Sequence, residues 1–444
     1  MKSMKYILAA ISLLLAGCFL TRKTSRTPAP TAPSVTQAEP MPAQPPRTDT
    51  TALIPAAAPF HVPQFSRLVR KPVYHIALFC PLYLDSVYNE PHTQTWLTRF
   101  PEYFLPGLEF YEGARLALDS LHTMDAQLVV KVYDTRSSRE PIDRVIQDSF
   151  LQKADLMIGM LDYQELKKLS AFSQQHQMNL ISATLPNDAE ITRNPFLIIV
   201  NSTLAAHASA ILQYVLINFN NVHLTLWSQP NSDDNTIAQL FLEAYRKHPQ
   251  YDVLPMQQIV YDTSWTASRV ASQLIPTQNN VCIFATLNPV VALNMAYKLA
   301  SLTDRYQINL IGMPTWDQIT AWYADSALYS LSVFYSSPFV TNPQSAAVKY
   351  FQQKFMQLYR DGQPAPSAWK GFDICYRFVW LMLHYGIYFN ARINDPGANM
   401  LIPYHFEPVY KQTSDSIPDY FENRKIFFMK IFQGKTYAAG SVNA

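Results

Sequence analysis

The residues with chemistry to offer stand at the ends of apolar runs. Met160 and Leu161 close "ADLMIGML", Ser182 and Thr184 close "MNLISATL", Thr286 follows "VCIFA", and Trp316 and Asp317 follow "INLIGMP". A hydroxyl can donate to an anion, an indole can stack on a flat group, and a carboxylate can meet an amine. This is the chemistry of holding a small molecule. The sets that make or break bonds are missing: there is no GxSxG, HExxH, GxGxxG or Walker pattern. The ten histidines are scattered without ligand spacing, so His75, His176 and His207 read as surface or packing residues and no metal site is expected. Beyond Cys18 the cysteines are Cys80, Cys282 and Cys375, with no CxxC pair. Cys282 reads as a buried thiol, while Cys80 and Cys375 could pair in an oxidising compartment. No catalytic residue and no cofactor are expected. A formal charge of +2, spread along the chain, offers no basic block for nucleic acid.

Cys18 stands apart. It follows Lys2 and Lys5, an uncharged apolar run from Ile7 to Ala16, and the small residues Ala16 and Gly17. The run is too short to span a bilayer comfortably and has the form of an export signal. Leu15-Ala16-Gly17-Cys18 resembles the bacterial lipobox, which implies cleavage before Cys18 and lipidation of its thiol and new amino terminus. Several acyl chains, each worth about 0.8 kcal/mol per buried methylene, anchor a protein stably. Phe19 stands where an aspartate would signal inner-membrane retention, which points to the outer membrane. Residues 24–65 are rich in Pro, Ala, Thr and Ser without apolar periodicity, the composition of an extended tether.

The elements that must position the strand-end residues alternate. "VYHIALFCPL" reads as a buried parallel strand. In 105–122, Leu108, Tyr111, Ala114, Leu118 and Leu121 recur at three or four residues, an amphipathic helix. Strands are expected at 126–135, 154–161 and 178–185 and in "PFLIIVNST". Helices are expected in "REPIDRVIQDSFLQ" and "DYQELKKLSAFSQQHQ", the latter opened by Asp162 and Glu165 at capping-box spacing. A second series follows, with strands at 221–229, 279–287 and 306–314 and in "VLPMQQIVYD", and helices that include "TASRVASQLIP". Asp233 and Asp234 read as helix caps, and the tail as two strands around Gln433-Gly434. Two βα series of similar size imply an α/β protein of two doubly wound parallel-sheet lobes.

The order of "YHIALFCPLYL", "GLEFYEGARLALDSL", "VVKVYDTRSS", "ADLMIGML" with "MNLISATLP", and "NPQSAAVKYFQQKFMQLYRDGQPAPSAWKGFDICYRF" resembles the type 1 periplasmic binding fold. This is the architecture of branched-chain amino acid binding proteins and of some receptor ligand-binding lobes. The resemblance implies about three crossings between lobes, placed near 201–206, 333–341 and 400–420. The expected layout is a leader at 1–17, the lipidated cysteine and tether at 18–71, lobe one at 72–205, lobe two at 206–333, a return to lobe one at 334–400, and a C-terminal segment at 401–444 mostly with lobe two. It further implies a ligand carboxylate held by Met160, Leu161, Ser182 and Thr184, and an amine met from lobe two, where Thr286, Trp316 and Asp317 occupy the matching loops. Two functions fit. One is a solute-binding lipoprotein of the cell envelope that closes on a small polar, amino-acid-like ligand for an ABC permease or a sensor. The other is an interaction lipoprotein that regulates a cell-wall synthase, as the activators of penicillin-binding proteins do.

Overall fold

The computed structural model describes residues 68–87, 102–121, 127–359, 362–412 and 416–444. Cys18 and the tether lie outside them. Two seven-stranded sheets carry the fold. The first contains β1 (Val73–Cys80), β2 (Gln127–Asp134), β3 (Leu156–Gly159), β4 (Asn179–Ser182), β5 (Leu197–Ile199), β11 (Phe406–Val409) and β12 (Tyr420–Asn423), in the order β11-β12-β5-β4-β3-β1-β2. The second contains β6 (Val222–Ser228), β7 (Met256–Val260), β8 (Asn279–Phe284), β9 (Gln307–Gly312), β10 (Ser332–Ser337), β13 (Lys425–Phe432) and β14 (Lys435–Asn443), in the order β14-β13-β10-β9-β8-β6-β7. The central strands are parallel; antiparallel β11 closes one edge of the first sheet, and the antiparallel β13–β14 hairpin closes one edge of the second. This is the two-lobed α/β architecture the alternation predicts.

The longer helices are α1 (Leu105–Leu121), α2 (Tyr163–His176), α3 (Leu204–Asn218), α4 (Ser232–Lys247), α5 (Pro289–Ala300), α6 (Ala346–Leu358) and α7 (Pro366–Tyr385). Side chains cap most of them. Asp162 and Glu165 form the expected capping box on α2, Thr203 accepts from Ala206 N on α3, and Ser345 accepts from Val348 N on α6. The cap of α4 is Asn231, not Asp233 or Asp234. In lobe one, α1 and α7 cross closely because both are glycine at the contact. A Cβ on Gly113 would lie 2.0 Å from the Ala368 carbonyl oxygen, and one on Gly371 would lie 2.1 Å from that of Phe110.

Two expected helices are cut short by polar side chains. "REPIDRVIQDSFLQ" forms only Ile142–Val145 and Leu151–Lys153. Asp148 accepts from Lys131 Nζ, the Tyr133 hydroxyl and Phe150 N, which pins a turn to β2. "TASRVASQLIP" is helical only over Ala267–Ala271. The Asn280 amide exchanges hydrogen bonds with Ile275 N and O just beyond it. The tail hairpin turns at Gln433 and Gly434, both with positive φ (50° and 67°).

The chain passes between lobes after β5, after β10, and at Arg424 between β12 and β13. The expectation for 401–444 needs correction. Residues 401–423 stay with lobe one, and only β13 and β14 join lobe two. Leu401, Ile402, Tyr404, Phe406 and Phe421 are buried in the lobe-one core, each large apolar side chain worth roughly 1.5–3 kcal/mol. Asp419 secures the same stretch by accepting from Arg193 N and Lys411 N.

Candidate functional site

Parallel strands leave their carboxyl ends open to ligands. In both lobes these ends lie on the side where the chain crosses, since β5 and β10 each run directly into a crossing segment. The crossings are themselves joined. Ser202 Oγ donates to Asn423 O at 2.6 Å, and Thr203 N donates to Glu422 Oε1 at 2.7 Å. Asn423 Nδ2 donates to Val200 O at 3.3 Å, and Glu422 pairs with Arg424 at 2.9 Å. Glu422 and Asn423 are fully buried, so this seam is shielded from competing water.

At the lobe-one edge, Asp134 organises the loop after β1. Its carboxylate accepts from Leu82 N, Tyr83 N, Leu84 N and Arg136 N at 2.7–3.0 Å. Tyr83, with φ of 53°, meets Tyr103 edge to face. Arg136 bonds Asp162 Oδ2 at 2.9 Å and lies 3.3 Å from Glu165. These neighbours help hold the Asp162 carboxyl below its ordinary pKa, against the opposing effect of burial. Asp134 and Asp162 therefore spend their charge on the scaffold.

The sequence-expected residues divide. Thr184 and Met160 are partly exposed at the lobe-one edge, and the Thr184 carbonyl accepts from Asn201 Nδ2 at 2.6 Å. Asp317 is exposed at the lobe-two edge, in the short turn Pro314–Gln318 after β9. Ser182, Leu161, Thr286 and Trp316 point inward. Ser182 is 0% exposed, and its Oγ has no hydrogen-bond partner among the described residues. A hydroxyl sealed in the sheet cannot reach a ligand in this conformation. Leu161 packs in the core on the α2 side of the sheet.

Trp316 also departs from expectation. Expected to stack on a ligand, it is 0% exposed and lies against Gly312, where a Cβ would fall 2.0 Å from the indole. It stacks on Trp322 at 5.7 Å and donates from Nε1 to Thr286 O at 3.1 Å. The apolar mass of the indole and the missing side chain at 312 make it a core residue of lobe two. Buried Thr286 receives Asn288 N at its hydroxyl and faces the buried carboxyl of Asp234, whose pKa burial raises.

One residue of the edge was missed by sequence reasoning. Lys370, in the first turns of α7, sits among apolar neighbours in "SAWKGFD" and reads as part of a core helix. Its ammonium lies 4.4 Å from the centre of the Phe339 ring in the second crossing segment. Lys370 and Asp317 of lobe two are close enough for their charges to influence one another. The surrounding protein strips water from both charged groups, which pushes the Lys370 pKa down and, although the Asp317 residue is exposed as a whole, the Asp317 carboxyl pKa up; the charge of each partly offsets the shift of the other. Tyr335 and Tyr323 stand near Asp317, and burial raises both phenols. Cys80, Cys282 and Cys375 are buried free thiols, with burial pushing Cys282 to about 11.

No family model and no curated protein matches the chain. Solved structures do. A putative branched-chain amino acid ABC transporter protein from Rhodospirillum rubrum aligns with a TM-score of 0.58 at 13% identity, covering 82% of this chain and 99% of that one. An ABC transporter substrate-binding protein from Desulfitobacterium hafniense, solved with Leu, aligns at 0.52 and 13% identity with the same coverage. A branched-chain amino acid ABC transporter periplasmic ligand-binding protein from Burkholderia xenovorans aligns at 0.53 and 8% identity, covering 84% and 95%. The likeness shows the fold: this chain has the type 1 periplasmic binding architecture its sequence order resembles.

Proposed function

From that fold, we propose that the protein is a solute-binding lipoprotein of the cell envelope, closing its two lobes on a small polar, amino-acid-like ligand for an ABC transporter or a sensor. The observation that carries the reading is the arrangement of two sheets whose carboxyl edges share one side with three crossings. Such an arrangement permits a hinge, and a ligand that touches both edges stabilises only the closed form. The seam at Ser202, Thr203, Glu422 and Asn423 gives the hinge a fixed axis. The neighbours, described as transporter substrate-binding proteins, support binding over catalysis. Anchoring is proposed through Cys18, with the outer membrane as the destination. Among the described residues no helix is long and apolar enough to cross a membrane.

Ligand contact is assigned to the accessible strand-end residues, Thr184 and Met160 of lobe one and Asp317 of lobe two. Ser182, Leu161, Thr286 and Trp316 support that edge from behind. The test is a thermal-shift screen of amino acids, short peptides, sugars, nucleosides and muropeptides. A ligand specific for the folded state adds about 2.7 kcal/mol at a hundredfold excess over Kd. A clear rise in Tm with one compound class is expected. The second reading, a regulator of a cell-wall synthase, is favoured by one observation: the two hydroxyls Ser182 and Thr286 are both sealed. An inert screen together with co-purification of a synthase would establish it in place of solute binding.

A further inference from the structure

We propose that the buried carboxyl of Asp373 is a proton-sensitive latch on residues 393–406, the stretch of lobe one that braces the third crossing, so that the crossing is held more firmly in mild acid than at neutral pH. The device is independent of which ligand the cleft takes. Asp373 and Arg377 stand four residues apart on one face of α7, and each is 1% exposed. Both hold the same stretch of chain. Asp373 Oδ1 accepts from Leu401 N at 2.7 Å. Arg377 donates from Nη1 to Asn399 Oδ1 and from Nη2 to Ile393 O, both at 2.5 Å. Its guanidinium lies 5.5 Å from the centre of the Tyr404 ring and 5.4 Å from that of Phe406. The stretch is in turn fastened to the crossing. Asn394 Nδ2 donates to Phe406 O at 2.8 Å, and Phe406 N donates back to Asn394 Oδ1 at 2.7 Å. Arg424 N donates to His405 O at 2.7 Å, and His405 N donates to Asn423 Oδ1 at 3.2 Å.

The carboxyl is the weak member of this cluster. Arg377 spends both terminal nitrogens on neutral acceptors. Among the described residues no hydrogen bond closes on Asp373 Oδ2, on Arg377 Nε or on the Tyr404 hydroxyl. A carboxylate sealed from water with so little returned to it favours its neutral form. Burial pushes its pKa up to about 6, against the opposing pull of Leu401 N, the Tyr404 hydroxyl, the Arg377 charge and Ile402 N. Asp395, on the latched stretch, bears on the cluster through Arg377. The rest of the lobe-one core around α7 is apolar, with Phe110 and Ala114 from α1 and Ile158 and Ile181 from the sheet, and burial keeps the thiols of Cys80 and Cys375 neutral. If the stretch swings open, the carboxyl returns to water and to a pKa of about 3.9. Between pH 8 and pH 5 the closed form therefore takes up a proton that the open form does not, and the open fraction falls about tenfold. As pH rises back through 6 that advantage is lost.

The experiment is hydrogen exchange followed by mass spectrometry on the mature chain at pH 8 and pH 5, corrected for the intrinsic exchange rate. Peptides covering 399–406 report the latch, and peptides of β8 in lobe two report global opening. Asp373→Asn keeps an acceptor for Leu401 N and cannot ionise. From pH 8 to pH 5, protection over 399–406 should rise about tenfold more in wild type than in Asp373→Asn. Equal changes in the two proteins overturn the latch. So does a wild-type rise shared in full by β8, which places the proton uptake outside this stretch. Should Asp373→Asn fail to fold, wild type decides alone: protection over 399–406 that stays flat or falls between pH 8 and pH 5 overturns the latch, and a rise confined to that stretch supports it.

Discussion

His207 is 1% exposed in α3, directly after the first crossing, and its Nδ1 meets Ser336 Oγ of β10 at 2.9 Å. Burial lowers its pKa from 6.5 to about 3. Above pH 6.5 the imidazole is neutral in both the folded and unfolded chain. As pH falls below 6.5 the unfolded chain takes up a proton that the folded one refuses, so stability drops, and the loss continues until about pH 3. At pH 5 the two pKa values give a deficit of about 2 kcal/mol, from the ratio of the two proton-binding polynomials. Other groups titrate in this range, so the measurement is a difference. Urea unfolding, followed by the fluorescence of the buried Trp227, Trp316 and Trp322, is compared for wild type and His207→Gln at pH 8 and pH 5. Glutamine stays neutral and can still bond Ser336. Wild type should lose about 2 kcal/mol more than the variant between the two pH values. Equal losses, or an imidazole resonance titrating near pH 6.5 in the folded protein, would refute the argument.

Trp316→Ala should lower lobe-two stability by about 3–5 kcal/mol in chemical unfolding, because it empties a core site against Gly312 and Trp322; a stability change under 1 kcal/mol would return the indole to the ligand surface. Gly371→Val should destabilise by about 1–3 kcal/mol or more, since the new Cβ meets the Phe110 carbonyl at 2.1 Å and a backbone oxygen has no rotamer to escape into. A wild-type Tm in that variant would mean that α1 and α7 can separate at little cost. Cys18→Ser should move the protein from the membrane fraction to the soluble fraction with the same Tm; retention on the membrane after a salt wash would exclude the proposed lipid anchor.

The lobes were legible because each strand is a short apolar run ended by a turn signal, and the longer helices repeat at three or four residues. What misled was polar anchoring over long range. Asp148 and Asn280 end helices that periodicity extends, and both do so through contacts with other segments. The third crossing was misplaced for a related reason. "LIPYHFEPV" is apolar enough for either core, and only pairing of β12 with β5 assigns it to lobe one. At the edge, strand ends could be found from sequence, but the direction of each side chain could not. Ser182 and Thr184 are two residues apart, yet only Thr184 is accessible. Trp316 was drawn into the core by Gly312, four residues earlier, a partner that an aromatic at a strand end does not announce. Lys370 was hidden because it sits in an apolar helix that reads as core, where a single cation passes for a side chain that carries its charge out to solvent.

Native mass spectrometry of the mature chain after incubation with a polar metabolite extract tests the central claim most directly. The account predicts one small molecule bound per chain, carrying a carboxylate and released on denaturation. Bare protein across extracts from several growth conditions, with a stoichiometric polypeptide as the only retained partner, would contradict it.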